Sequence, residues 1–173
     1  MNETAILDLL YGILPALIVG LISYYFFHVY TNNEENRRRF LLLREKQKTT
    51  LPIKLQAYER FALYLERISP GKLLFRVQPT SDDVASYVNL LIANIDQEFE
   101  HNLAQQIYIS DSCWDYIKTA KNATINMLRN ASGKEGVSTP DELREVVLKG
   151  MMDKQPPTDA ALSYIKKEVK NLT

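Results

Sequence analysis

No internal disulfide can form in this chain, because Cys113 is its only cysteine. No excess of either charge is present: 21 Lys+Arg stand against 21 Asp+Glu, which argues against a dedicated nucleic-acid binder with its basic surplus. The motifs that cradle phosphates or dinucleotides, GxxxxGK[ST] and GxGxxG, are missing, as are HExxH and CxxC. Histidine occurs only at His28 and His101. The most informative lack is local. Between Leu9 and Tyr30 there is no Asp, Glu, Lys or Arg.

What fills that stretch is LLYGILPALIVGLISYYFFHVY. As a helix it reaches roughly 33 Å, enough for one pass through a hydrocarbon core about 30 Å thick. A signal peptide would carry a positive N-terminal region and a small-x-small cleavage site. This sequence instead offers Glu3 and Asp8 before the run and no such site after it. Lys and Arg are absent from residues 1–30, whereas Arg37, Arg38, Arg39, Arg44, Lys46 and Lys48 follow the run closely. The positive-inside rule therefore predicts an outside N-terminus and a cytoplasmic C-terminal part. Tyr24, Tyr25, Phe26, Phe27 and Tyr30 at one end, and Tyr11 at the other, suit the headgroup regions. Asn2, Asn122, Asn130 and Asn171 each begin an Asn-x-Ser/Thr match. In an Asn-rich chain whose arginines oppose a lumenal placement, these read as chance matches.

Within the span, Gly12, Ala16 and Gly20 recur at steps of four with Ser23 nearby. Small residues at this spacing make a shallow face on which another membrane helix can pack. The basic stretch after the span, Arg37, Arg38, Arg39, Arg44 and Lys46, reads either as a topology signal or as a contact for anionic headgroups.

The remainder reads as helical, without a strand pattern or a repeat. Pro52, with Thr50 as its cap, is expected to open a helix carrying Ile53, Ala57, Phe61, Tyr64, Leu65 and Ile68 inward. Ser69-Pro70-Gly71 ends it, and residues 72–79 read as a short helical turn or an extended connector. Ser81 is expected to cap a long helix whose stripe runs Val84, Val88, Leu91, Ile95, Phe99, Leu103 and Ile107. Ser110 caps the next, with Trp114, Ile117, Ala120, Thr124 and Leu128 inward. Thr139-Pro140-Asp141-Glu142 has the form of a capping box. Thr158 is expected to cap a last helix, with Ala161, Ile165, Val169 and Leu172 on one face. That face suits docking on the domain, a membrane surface or a partner.

The predicted fold class is all-α: one N-terminal transmembrane helix plus a small cytoplasmic helical bundle. The expected divisions are an extracytoplasmic N-terminus 1–8, a span 9–30, a basic stalk 31–50, a helical domain 51–131, and a linker with a two-helix tail 132–173.

Chemistry is sparse. Glu98 and His101 stand three apart, as in the Glu-x-x-His unit of di-iron bundles, but that site needs a second unit which this sequence lacks. Cys113 reads as a buried thiol beside Trp114. No catalytic, cofactor-binding or metal-ligating residue is assigned, and no small-molecule substrate is evident. A tyrosine-rich edge suits bundle packing and also a partner interface; Tyr58, Phe61 and Tyr64, with Ile165 and Val169 on the last helix, are the residues that would form it.

The segments LQAYERFALYLERISPGKLL (55–74) and EFEHNLAQQIYIS (98–110), behind a single N-terminal apolar span, resemble a family of small single-pass inner-membrane proteins of Bacteroidetes, a domain of unknown function. The resemblance covers roughly residues 5–131. It implies a bacterial inner membrane and an all-helical cytoplasmic domain, and brings no activity or catalytic residue with it. The expected function is a non-enzymatic membrane-anchored subunit or scaffold, with membrane lipid and other membrane proteins or further copies as partners. The alternative is a membrane-surface regulator that binds anionic lipid.

Overall fold

The computed structural model describes residues 3–172, with side chains throughout except those of residues 3–11, 36, 46, 47 and 153. Every regular element among the described residues is helical. They fall into two compact units that part between Thr49 and Thr50.

The first unit is wholly α1, assigned from Glu3 to Ile68. Every side chain of residues 12–33 is exposed. The helix carries an apolar window of mean hydropathy 1.8, none of it buried, and is long and apolar enough to cross a membrane. Tyr24 stacks on His28 with ring centroids 6.1 Å apart. Thr31 donates its hydroxyl to the Phe27 carbonyl, so a polar side chain near the end of the apolar run is satisfied by its own helix.

The expected helix start at Pro52 is absent, because α1 runs through it. The missing N–H removes one backbone bond, and Pro52 lies on an exposed face where water can take up the carbonyl left over. Ile53, expected inward, is likewise exposed.

The second unit collects the C-terminal end of α1 with α2 (Pro70–Arg76), α3 (Val84–Asn102), a 3₁₀ turn (Leu103–Tyr108), α4 (Asp111–Ser132), α5 (Pro140–Asp153) and α6 (Pro157–Leu172). Helix α4 is central and packs against α3, α5 and α6. Its buried face of Cys113, Ile117, Ala120, Thr124 and Leu128 follows the helical period. The α1 contribution is Phe61, Tyr64, Leu65 and Ile68, all essentially without exposure. Tyr87, Leu91 and Ile95 come from α3. Leu143 and Val147 of α5, with Ala161 and Ile165 of α6, belong to the same core, so α5 and α6 pack into the helical unit. Rings join this core in tilted and stacked pairs: Phe61 tilted to Trp114 at 5.6 Å, Phe99 stacked on Trp114 at 5.1 Å, and Tyr64 tilted to Phe99 at 5.8 Å.

Local signals set most ends. Ser110 accepts from the Cys113 amide, and Thr139 with Glu142 closes a capping box at α5. Gly136 holds φ +83 in the turn before it, a conformation that glycine takes without strain. Other ends differ from the sequence reading. Asp83 caps α3 in place of Ser81, its carboxylate accepting from the Ser86 amide at 2.7 Å. Thr158 lies fully buried inside the first turn of α6 and caps nothing, its hydroxyl without a partner. Helix α3 stops at Asn102, whose side chain bonds back to the Glu98 carbonyl at 2.8 Å and competes with the helical ladder. The tighter 3₁₀ turn then carries side chains off the stripe, so Leu103 and Ile107, expected inward, are exposed.

Candidate functional site

The interface residues expected from sequence are core residues. Tyr58, Phe61, Tyr64 and Ile165 are buried, and Val169 is partly buried against the same cluster. An aromatic stripe at helical spacing serves a bundle core and a partner interface with identical chemistry. The stripe that α1 presents is covered by its neighbours: Phe61 meets Trp114 of α4, Tyr64 meets Phe99 of α3, and Tyr58 meets Glu168 of α6.

Glu168 shows how that cover is fastened. Ile165 fixes α6 in the core, and Glu168, one turn on, reaches the rim. One carboxylate oxygen accepts the Tyr58 hydroxyl at 2.7 Å, and the other accepts the Ser110 hydroxyl. The Ser110 oxygen accepts in turn from the Cys113 amide at 3.1 Å. A single carboxylate thus ties α1, the cap of α4 and α6. A cavity of about 360 Å³ opens beside it, lined by Lys54, Tyr58, Tyr108, Ser110 and Glu168 among others.

Burial, then the charge and hydrogen bonding of Glu168, pushes the Cys113 thiol up to about 12. Burial first and the same carboxylate second raise the Tyr58 hydroxyl well above its ordinary value. This is the reverse of an activated nucleophile, whose surroundings favour the thiolate. Cys113 is therefore expected to resist an aromatic disulfide reagent at mildly alkaline pH in the folded protein and to react fully once denaturant opens the core. Chromophore release with and without denaturant measures the difference; fast release from the folded chain would contradict the burial seen here.

Glu98 is the second polar centre. Its Oε1 lies 2.6 Å from the Arg67 guanidinium as an ion pair and accepts a hydrogen bond from Arg76 at 3.3 Å. The two guanidiniums come from the last turns of α1 and α2. His101 stands on the same α3 face and makes no bond to Glu98. The carboxylate is committed to arginine, so Glu98 acts here in an ion-pair network in which His101 takes no part. Among the described residues, no group of three or more His, Cys, Asp or Glu side chains converges as metal ligands would.

The positions singled out on α1 are surface positions. Gly12, Ala16, Gly20 and Ser23 are exposed, and a Cβ built on Gly12 or Gly20 meets nothing within 4 Å. Arg37, Arg38, Arg39 and Arg44 are exposed as well. Glu34 pairs with two of them, Arg37 at 3.9 Å and Arg38 at 3.6 Å, and so offsets part of the charge. The Lys46 side chain lies outside the described residues.

Sequence reasoning noted Glu98 only for its spacing to His101, missed its two arginine partners, and missed Glu168. Glu168 and its two partners are far apart in the chain, and so is Glu98 from Arg67 and Arg76. Neither set forms a motif.

The sequence pattern of the family of unknown function DUF7935 matches residues 4–172, from the first turns of α1 to the end of α6. It runs past the limit of residue 131 drawn from the segment resemblance, in keeping with α5 and α6 sharing the core. Neither the curated proteins nor the solved structures give a match.

Proposed function

The chain belongs to the family of unknown function DUF7935, and we propose that it is a non-enzymatic, membrane-anchored subunit or scaffold of a bacterial inner-membrane assembly. In this reading α1 crosses the membrane once, with the N-terminus outside and the helical unit in the cytoplasm.

The observation that carries the proposal is the bare apolar surface of α1. Residues 12–33 have no cover among the described residues, and the run has no charged residue from Leu9 to Tyr30. A continuous apolar surface of this size needs lipid or protein around it. The arginines that follow supply the orientation. The open Gly12, Ala16, Gly20 and Ser23 face gives a neighbouring span, or a second copy, a place for close approach. On the helical unit, Phe75 at 82% exposure and Met152 at 87% are apolar side chains left open to a partner, and they replace the buried tyrosines in that role. The reading calls for no cofactor. The raised Cys113 thiol and the arginine-bound Glu98 both speak for structural duties.

The test is affinity purification of the full chain from its native membrane in a gentle detergent, with mass spectrometry and the mass of the intact particle. A reproducible set of membrane partners, or a homo-oligomer, is the expected result. A strictly monomeric protein carrying only lipid would overturn the scaffold reading.

Exposed Arg37, Arg38, Arg39 and Arg44 favour a second reading, a regulator that binds anionic lipid at the membrane surface. It requires salt-sensitive preference for anionic over neutral vesicles, and equal binding to both would sink it.

A further inference from the structure

The strongest unassigned feature is the cleft around Glu98. Its volume is about 440 Å³, and it is lined by Arg67, Arg76, Asn94, Gln97, Glu98 and His101. The α3 residues fall at successive turns of one face, opposite the ends of α1 and α2 that bring the arginines.

Both guanidiniums converge on one atom, Glu98 Oε1. Each guanidinium meets Glu98 through one nitrogen, and neither has another partner among the described residues. The neighbouring groups are also unspent. Gln97 and His101 have no partner among the described residues, and Asn94 spends its amide N–H on the Leu90 carbonyl. Glu98 is the single acid in the lining, so two fixed positive charges face one negative. On the same helices, Asp96 pairs with Lys121 at 2.6 Å and Glu66 with Lys72, outside the lining. The cleft is thus rich in donors, net positive, and held in shape by its own bridging carboxylate.

We infer that this cleft binds a phosphate monoester group. A second carboxylate would use one fork, whereas a phosphate presents three terminal oxygens and satisfies two forks at once. The space also admits an organic substituent beyond the phosphate, being within the range of ordinary ligand pockets. Glu98 spaces the arginines before the ligand arrives, so little ordering remains for binding to supply. The site is distinct from the basic residues that follow the apolar run, and stands whether or not the scaffold reading holds. A soluble phosphorylated metabolite and a lipid headgroup share the required chemistry.

The experiment titrates purified full-length protein with inorganic phosphate and with glycerol 3-phosphate by calorimetry. In parallel, the protein in nanodiscs of neutral lipid is compared with nanodiscs containing phosphatidic acid. Saturable binding of the soluble esters identifies a metabolite-type source; selective binding confined to phosphatidic acid identifies a headgroup. In either case R67Q and R76Q each weaken binding by roughly tenfold or more, the loss expected for a charge-assisted bond. R76K does not restore it, because an ammonium lacks the fork. E98Q keeps an oxygen acceptor for the arginines while removing the opposing charge, so it tightens binding several-fold, about the effect of one nearby charge. R129Q, an exposed arginine outside the cleft, leaves binding unchanged. Trp114 fluorescence during thermal unfolding checks that each variant is folded; should R67Q or R76Q unfold, E98Q and R129Q still decide. No binding in either arm, or binding indifferent to R67Q, R76Q and E98Q, overturns the proposal.

Discussion

Phe61→Ala is expected to destabilise the helical unit by about 3–5 kcal/mol, the usual cost of deleting a fully buried aromatic ring. Phe61 has no exposure and sits against Trp114, itself stacked on Phe99. Removing it leaves a void where α1 meets α4, and the rings on either side lose contacts that nothing else can supply. A loss of this size is a large part of the 5–15 kcal/mol that holds an ordinary domain together. The chain carries its own reporter, because Trp114 is its only tryptophan and lies inside the affected cluster. Denaturant titration followed by Trp114 fluorescence should show an early midpoint, or no folded baseline at all. Phe75→Ala is the control: its ring is 82% exposed, so the midpoint should move little. If the two variants unfold alike, Phe61 is not the core residue this structure makes it.

That contrast also shows what the sequence could tell and what it could not. The helical class was legible because apolar spacing in α3 and α4 follows the helical period over several turns. The capping box at Thr139 and the cap at Ser110 were legible because each cap is completed within a few residues of itself. Signals of that kind fail when two candidates compete. Ser81 and Asp83 both suit a cap, and the chain uses Asp83. Asn102 ends α3 through a side-chain bond to its own helix, which hydrophobic periodicity does not register.

The polar centres were illegible for a different reason. Tyr58 meets Glu168, and Glu98 meets Arg67 and Arg76, only after the helices have packed. Aromatic content marked Tyr58, Phe61 and Tyr64 as notable, but could not assign them to core or surface. The structure makes that assignment: Tyr58, Phe61 and Tyr64 turn inward, while Arg67 is left at the cleft.

On the proposed anchor, Ile18→Arg is expected to strip the protein from the membrane. An arginine near the middle of a span raises the cost of insertion by about 2.5–3.5 kcal/mol. This run has little reserve against that cost, since Gly12, Pro15, Gly20, Ser23 and His28 already dilute its apolar residues, and no second span is evident in the described chain to share the burden. Ile18 lies off the Gly12–Ala16–Gly20 face, so its replacement tests insertion without removing the small residues proposed for helix packing. Leu43→Arg is the matched control. It adds the same group to an exposed position beside Arg44, where a further positive charge agrees with the proposed cytoplasmic side. Alkaline carbonate extraction reads the outcome. The parent chain and Leu43→Arg should stay in the membrane pellet, and Ile18→Arg should move largely to the soluble or aggregated fractions. Retention of Ile18→Arg at the parent level would mean that the apolar face of α1 is covered by another protein rather than by lipid. The search for partners would then begin at that face, and the arginines after it would lose their role as a topology signal.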